Sequence, residues 1–132
     1  APTVHIALRC ERRLLDLRIN ARARAMFERG LVEEVETLVD QGIREGETAP
    51  RAIGYAQALA VIDGTMSVPE AVDSTALATR QLASRQIKWF RRDPRVRWID
   101  VELTEDGRCT DAECSRVTRQ ARELVLAVDG VA

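Results

Sequence analysis

The chain has 132 residues, 45% of them apolar and 31% charged, the size and balance of one soluble domain with a modest core. No stretch approaches the roughly 18 apolar residues of a membrane span. Ala1 to Cys10 carries no signal-peptide pattern, so a cytoplasmic protein is expected. A net charge of -1 excludes a uniformly basic nucleic-acid binder, yet it hides a block structure. Residues 1–30 hold 7 basic and 3 acidic side chains, 31–73 hold 2 and 9, 74–97 hold 7 and 1, and 98–132 hold 4 and 8. Such segregation allows a local anionic partner. Every basic side chain except Lys88 is an arginine. Cys10, Cys109 and Cys114 make an odd count without CxxC spacing and read as reduced, structural thiols.

Val4, Ile6 and Leu8 alternate with His5, Ala7 and Arg9, a period of two that predicts a short strand. From Glu11 to Arg29 the apolar positions Leu15, Ile19, Met26 and Phe27 recur at helical spacing, with Gly30 as the stop. Leu31, Val35, Leu38 and Val39 define a second helix, with Glu33, Glu34, Glu36 and Asp40 off its stripe and Gly42 as its C-terminal cap. Residues 43–51 read as a loop, and a third helix is predicted over Ala52–Asp63, ended by Gly64. Ser67-Val68-Pro69-Glu70 has the spacing of a capping box and opens a long helix that reaches Arg92 before Asp93-Pro94 breaks it. Val96–Val101 is a second strand. Thr110-Asp111-Ala112-Glu113 repeats the capping-box spacing ahead of a final helix through Val128, with the stripe Val117, Ala121, Leu124 and Val128. Two strands so far apart in the chain make a poor sheet alone. The expectation is a mostly α-helical chain with two short strands that need further strands or a covering helix.

The long helix carries the strongest physical signal. Between Ser74 and Arg92 there is no acid, and at about 100° per residue Arg80, Arg85, Lys88, Arg91 and Arg92 fall within an arc of about 140°, which Gln81 and Ser84 share. The opposite arc holds Leu82, Ala83, Ile87, Trp89 and Phe90, so the helix is expected to dock that face on a core and present the cationic one. Like charges at i,i+4 cost about 0.2–0.5 kcal/mol per pair. The row therefore calls either for an anionic ligand or for neutralisation by the acids of residues 31–73, and the sequence leaves both open.

Arg18 and Arg22 stand one helical turn apart, with Arg24 nearby. Two guanidiniums so aligned can hold a phosphate or diphosphate, or simply face solvent. Arg51-Ala52-Ile53-Gly54-Tyr55 is either an ordinary helix start or a junction where Gly54 admits close backbone approach and helix amides favour an anion. His5, the only histidine, assembles no Ser-His-Asp or Cys-His set. Neither Gly-x-x-x-x-Gly-Lys-Ser/Thr nor Gly-x-Gly-x-x-Gly occurs, so nothing here cradles a nucleotide's phosphates by itself. Glu33/Glu34 and Glu45/Glu47 read as exposed charge.

Four ordered motifs carry a family resemblance: Leu14 to Phe27 with Arg18-Ile19-Asn20-Ala21-Arg22; Gly30-Leu31-Val32-Glu33-Glu34-Val35; Arg51-Ala52-Ile53-Gly54-Tyr55; and Thr79-Arg80-Gln81-Leu82-Ala83-Ser84-Arg85-Gln86-Ile87-Lys88-Trp89-Phe90. Together they resemble the C-terminal part of bacterial tRNA dimethylallyltransferase. The likeness covers residues 4–100 of a single fragment, 1–132, and leaves 101–132 as a C-terminal segment with a helix. In that family a P-loop-like α/β core binds dimethylallyl diphosphate with magnesium. The prenyl group passes to N6 of the adenine 3′ of the anticodon, a base flipped into a channel.

The resemblance implies that Arg22 stabilises the leaving diphosphate as charge develops on it, with Arg18 as a second diphosphate ligand. It implies tRNA contacts from Arg51, Ala52, Ile53, Gly54 and Tyr55, and from Thr79, Arg80, Gln81, Ser84, Arg85, Gln86 and Lys88. Ala56 and Ser84 depart from the family, whose members often carry a basic residue there. The implied partners are the tRNA anticodon stem-loop, dimethylallyl diphosphate and an N-terminal part of the same protein, which carries the P-loop, the general-base aspartate and the Mg2+ ligands. A monomer without membrane contact is expected at full length, and the fragment alone is expected to be inactive. A reading from a different class is a non-catalytic helical RNA-binding module.

Overall fold

A computed structural model of the protein describes residues 3–48 and 51–129. In chain order these form β1 (His5–Arg9), α1 (Arg12–Glu28), α2 (Leu31–Asp40), a 3-10 turn (Ile43–Glu45), α3 (Tyr55–Ile62), α4 (Val68–Arg91), β2 (Val96–Asp100) and α5 (Asp111–Asp129). The architecture is mostly helical with one two-stranded parallel sheet. The chain divides into two compact units, one of residues 1–18 with 84–132 and one of residues 19–83.

The unit of residues 19–83 is built around an apolar cluster of Phe27, Leu31, Val35, Ala58, Leu59 and Ala71, with Met26, Val39 and Tyr55 packed against it. The stripe predicted on α2 is the buried one, whereas Glu33, Glu34, Glu36 and Asp40 are exposed. Glu33 and Glu34 also lie in the first turn, where the helix dipole favours acids. Gly30 adopts φ 98° and lets α1 pass directly into α2. The third helix starts at Tyr55, three residues later than the sequence suggests. Gly54 sits at φ 93° and ψ -51°, outside helical geometry. The expected loop after Gly42 contains the 3-10 turn, and its residues 49–50 lie outside the described residues. Ser67 and Glu70 form the expected reciprocal box: the Glu70 N–H donates to Ser67 Oγ at 3.2 Å, and the Ser67 N–H to Glu70 Oε1 at 3.1 Å.

In the other unit β1 and β2 pair in parallel, from His5 opposite Val96 to Arg9 opposite Asp100. Ala7, Leu14, Val96 and Ile99 are buried. The predicted strand β1 forms, but its burial does not follow the expected face: Ala7 is buried, Ile6 is half-buried and Leu8 is 58% exposed. The second capping box forms by half. The Glu113 N–H donates to Thr110 Oγ1 at 3.1 Å, but the Glu113 carboxylate accepts from the Glu102 N–H at 2.6 Å instead of closing on its own cap. It is also bound by Arg116. On α5 the stripe of Val117, Ala121, Leu124 and Val128 is half-buried.

The apolar arc of α4 behaves differently from the expectation. Ile87, Ala83 and Phe90 are half-buried, but Trp89 is 69% exposed and Leu82 lies at the exposed limit. The buried residues of α4 are Ala71, Thr75 and Ala76, in its N-terminal half. Small side chains there admit close packing, whereas the Trp89 ring stands 5.1 Å, centroid to centroid, from that of Phe90.

Candidate functional site

The carboxyl end of a parallel strand is where α/β sheets usually present ligands, since the chain turns away there and leaves a crevice. In this protein that end is Leu8-Arg9 of β1, followed by Cys10. It opens on a cleft of about 360 Å3 lined by Leu8, Arg9, Cys10, Arg12, Leu15, Ser84, Ile87, Lys88, Arg91 and Trp98, a volume in the range of small-ligand pockets. Apolar walls with several cations suit an anion that carries a hydrocarbon part.

The cations differ in how fully they are engaged. Arg9 donates to Asp100 at 2.6 Å across the last register pair of the sheet and stacks over Trp98 at 5.5 Å, and its guanidinium draws the Asp100 carboxyl below the ordinary value. Arg12 pairs with Asp16 one turn along α1 at 2.9 Å. Lys88 and Arg91 have no carboxylate partner among the described residues, and the same is true of Arg85 and Arg92. Within their own unit, residues 1–18 and 84–132, these four cations are left without a neutralising carboxylate among the described residues. Inside the unit of residues 19–83, Arg44 pairs with Asp63 at 2.6 Å. Two uncompensated cations on one helix, beside a cleft, leave a local field that favours an anion.

Arg80 stands apart from the rest of the row. It is half-buried, and its guanidinium donates to Asn20 Oδ1, a partner that bridges α1 and α4 inside the unit of residues 19–83. Thr79 donates its hydroxyl to the Thr75 carbonyl oxygen at 2.8 Å. Gln81, Arg85, Gln86 and Lys88 are exposed and Ser84 is half-buried. On α1, Arg18 is half-buried in the first unit and Arg22 is exposed in the second, neither with an ion pair among the described residues.

The 51–55 segment resolves into two parts. Arg51, Ala52 and Ile53 are exposed, whereas Gly54 is buried and Tyr55 packs on the apolar cluster. Gly54 takes a positive φ, which favours glycine, and an added Cβ would stand 3.0 Å from Met26 Cε, the end of a flexible side chain. The Gly54 N–H, one of the helix amides expected to favour an anion, already donates to Gln57 Oε1 at 2.8 Å. The exposed Arg51 to Ile53 remain available at this junction.

Arg9, Arg12 and Trp98 went unnoticed in the sequence as cleft residues. The available signal was the strand-to-helix junction after β1, which becomes a crevice only once its parallel partner is known. No three His, Cys, Asp or Glu side chains gather as a metal site among the described residues. No helix is long and apolar enough to cross a membrane.

A mostly helical chain with two parallel strands and a cationic crevice at one strand end is an arrangement suited to an anion. The family model described as IPP transferase matches residues 1–93, and the chain belongs to that family. It is 58% identical over 86 residues to the tRNA dimethylallyltransferase of Rhodococcus jostii, covering 65% of this chain and 28% of that protein. It is 50% identical over 99 residues to the tRNA dimethylallyltransferase of Pseudarthrobacter chlorophenolicus, covering 75% and 33%. Among solved structures, the full-length tRNA isopentenylpyrophosphate transferase from Bacillus halodurans superimposes with a TM-score of 0.76 at 31% identity, over 96% of this chain and 39% of that one. The tRNA isopentenylpyrophosphate transferase from Staphylococcus epidermidis gives 0.71 at 34% identity, over 92% and 38%. The chain thus spans well under half the length of these relatives.

Proposed function

We propose that this chain is the C-terminal, RNA- and diphosphate-gripping part of a tRNA prenyltransferase, which moves a dimethylallyl group from dimethylallyl diphosphate to N6 of the adenine 3′ of the anticodon. The observation that supports it most is the row Arg85, Lys88 and Arg91 on α4 with Arg92 just after it, exposed and without carboxylate partners among the described residues, in a chain of the IPP transferase family. Exposed cations that their own fold leaves uncompensated suit a polyphosphate backbone. Arg85 and Lys88, with Gln81, Gln86 and the exposed Arg51–Ile53 junction, are assigned to the tRNA anticodon stem-loop. Arg80, held by Asn20, is assigned there as a fixed rather than mobile contact, with Thr79 and Ser84 beside it in sequence. Gly54 and Tyr55 act by shaping the junction.

Arg22 is assigned to the diphosphate, with Arg18 as its second ligand. The C–O bond to the leaving diphosphate breaks as the adenine nitrogen attacks the prenyl carbon, and negative charge grows on the diphosphate oxygens. A guanidinium aimed at those oxygens stabilises that charge through bidentate hydrogen bonds. The P-loop, the general base and the magnesium ligands are assigned to an N-terminal part of the same cytoplasmic, monomeric protein. The chain by itself is expected to give no turnover with dimethylallyl diphosphate, magnesium and tRNA, and turnover by the chain alone would overturn the division of labour.

The test of the assigned role is Arg22→Ala in the full protein carrying this chain. Its single-turnover rate should fall on the order of 10²-fold while tRNA affinity stays close to the parent's. Loss of tRNA affinity with unchanged chemistry would move Arg22 from the diphosphate to the RNA. RNA binding without any prenyl transfer in the parent protein would favour the non-catalytic RNA-binding module.

A further inference from the structure

Cys109 and Cys114 flank the first turn of α5. Thr110 is the residue whose hydroxyl caps that helix, so Cys109 immediately precedes the cap and Cys114 is the fourth helical residue. In helices generally these two positions meet side chain to side chain, most often as an apolar staple. Here both carry thiols, and the two sulfurs lie 2.8 Å apart.

The backbone on either side is held. The Cys114 N–H donates to the Thr110 carbonyl oxygen at 2.9 Å. Ahead of Cys109, the Gly107 N–H donates to the Thr104 carbonyl oxygen at 2.8 Å. Gly107 itself lies so close to α1 that an added Cβ would stand 2.8 Å from the Leu14 carbonyl oxygen. The cap and the turn thus hold the backbone on either side of the two thiols.

We infer that Cys109 and Cys114 are an oxidisable dithiol site, which takes a two-electron oxidant of the peroxide class and closes a disulfide across the N-terminus of α5. Cys114 is exposed and Cys109 half-buried, so the soluble oxidant meets Cys114 first. The hydrogen bond to Cys114 raises the Cys109 thiol above its ordinary value, which keeps it protonated while its neighbour reacts.

The Cys114 thiolate attacks one peroxide oxygen. An S–O bond forms, the O–O bond breaks, and the departing hydroxide takes a proton to become water. Cys109 sulfur then attacks the resulting sulfenic acid at Cys114. The S–S bond forms, the S–O bond breaks, and the hydroxyl leaves as a second water with the Cys109 proton. One peroxide is reduced to two waters as two thiols become a disulfide. The sulfurs need approach by only about 0.8 Å to reach bonding distance, a small side-chain rotation. Cys10 supplies the internal control: it is half-buried, and burial pushes its thiol up.

The experiment treats the full protein carrying this chain, folded and reduced, with hydrogen peroxide, then quenches with an alkylating agent and digests with trypsin. Cleavage after Arg108 and Arg116 puts both thiols in one peptide. The expected result is loss of two hydrogens from that peptide, at least about tenfold faster than any change at Cys10. In Cys109→Ser, the same treatment should leave Cys114 as a sulfenic acid that dimedone traps. Conversion of Cys114 to sulfinic acid while Cys109 stays alkylatable would overturn the inference. So would disulfides between molecules, equal reaction at Cys10, or no reaction at peroxide levels that oxidise free cysteine.

Discussion

In residues 19–83, Phe27, Leu31, Val35, Ala58, Leu59 and Ala71 meet in one cluster drawn from four helices. In the unit that holds β1 and β2, Ile99 is fully buried, but much of what joins the elements is ionic: Arg9 to Asp100, Arg13 to Glu105, and Glu113 to the Glu102 amide and Arg116. Exposed ion pairs contribute about 0–1 kcal/mol each, whereas a buried Leu or Phe contributes about 1.5–3 kcal/mol by area alone. Most of the helix–helix stability therefore belongs to residues 19–83, and the sheet unit supplies a cationic crevice that its own side chains leave open. A two-stranded sheet with Leu8 uncovered is a scaffold that gains from further strands.

Like-for-like truncations separate the two regions most strongly. Leu31 and Leu14 are each 6% exposed, but Leu31 sits in the apolar cluster while Leu14 borders an open cleft with Glu11, Val101 and Thr104. Leu31→Ala should cost about 3–5 kcal/mol and Leu14→Ala about 2–3 kcal/mol, because water and neighbours relax more easily into the second space. Denaturant unfolding of the full protein, with hydrogen exchange read on α2 and on β1, measures both. A larger loss at Leu14 would reverse the comparison.

A smaller effect sharpens the ionic side of it. Arg116 and the Glu102 amide hold the Glu113 carboxyl down at about 2, against an ordinary 4.5. The folded value lies below the unfolded one, so the stabilisation is complete above the ordinary carboxylate range and is lost as pH falls from there through about 2. Glu113→Gln should flatten the fall of melting temperature over that acid interval and change it little at neutral pH. An unchanged acid limb would mean that the tie from residue 102 to α5 contributes nothing.

Much of this arrangement was legible beforehand because local rules coincide with the fold. The Ser67–Glu70 box, the Gly30 stop and the α2 stripe are decided within a few residues, and all three appear where the pattern puts them. The start of α3 differs because Gly54 takes a positive φ outside helical geometry, which the apolar period of the segment does not report. Trp89 and Leu82 were expected in a core because helical periodicity reports that a face is apolar, not whether anything lies opposite it. Glu113 kept the cap spacing, yet its carboxylate went to Glu102, a choice made by the fold of the preceding loop. In the site, the basic row was readable from charge alone, whereas the cleft at Arg9, Arg12 and Trp98 required the parallel pairing of strands distant in sequence. The contact of Cys109 with Cys114 follows from their positions around the cap and is invisible to a search for CxxC.

The reading of α4 as an RNA-facing helix meets its most direct test in the salt dependence of binding. An anticodon stem-loop is titrated into the full protein carrying this chain at several salt concentrations, beside Arg85→Ala plus Lys88→Ala. Each phosphate contact contributes nearly one unit to the slope of log affinity against log salt, so the double variant should flatten it by about 1–2 units. Its melting temperature should stay near the parent's, since neither side chain has a carboxylate partner among the described residues. An unchanged slope together with a sharply lowered melting temperature would show that these cations serve the fold and not the RNA.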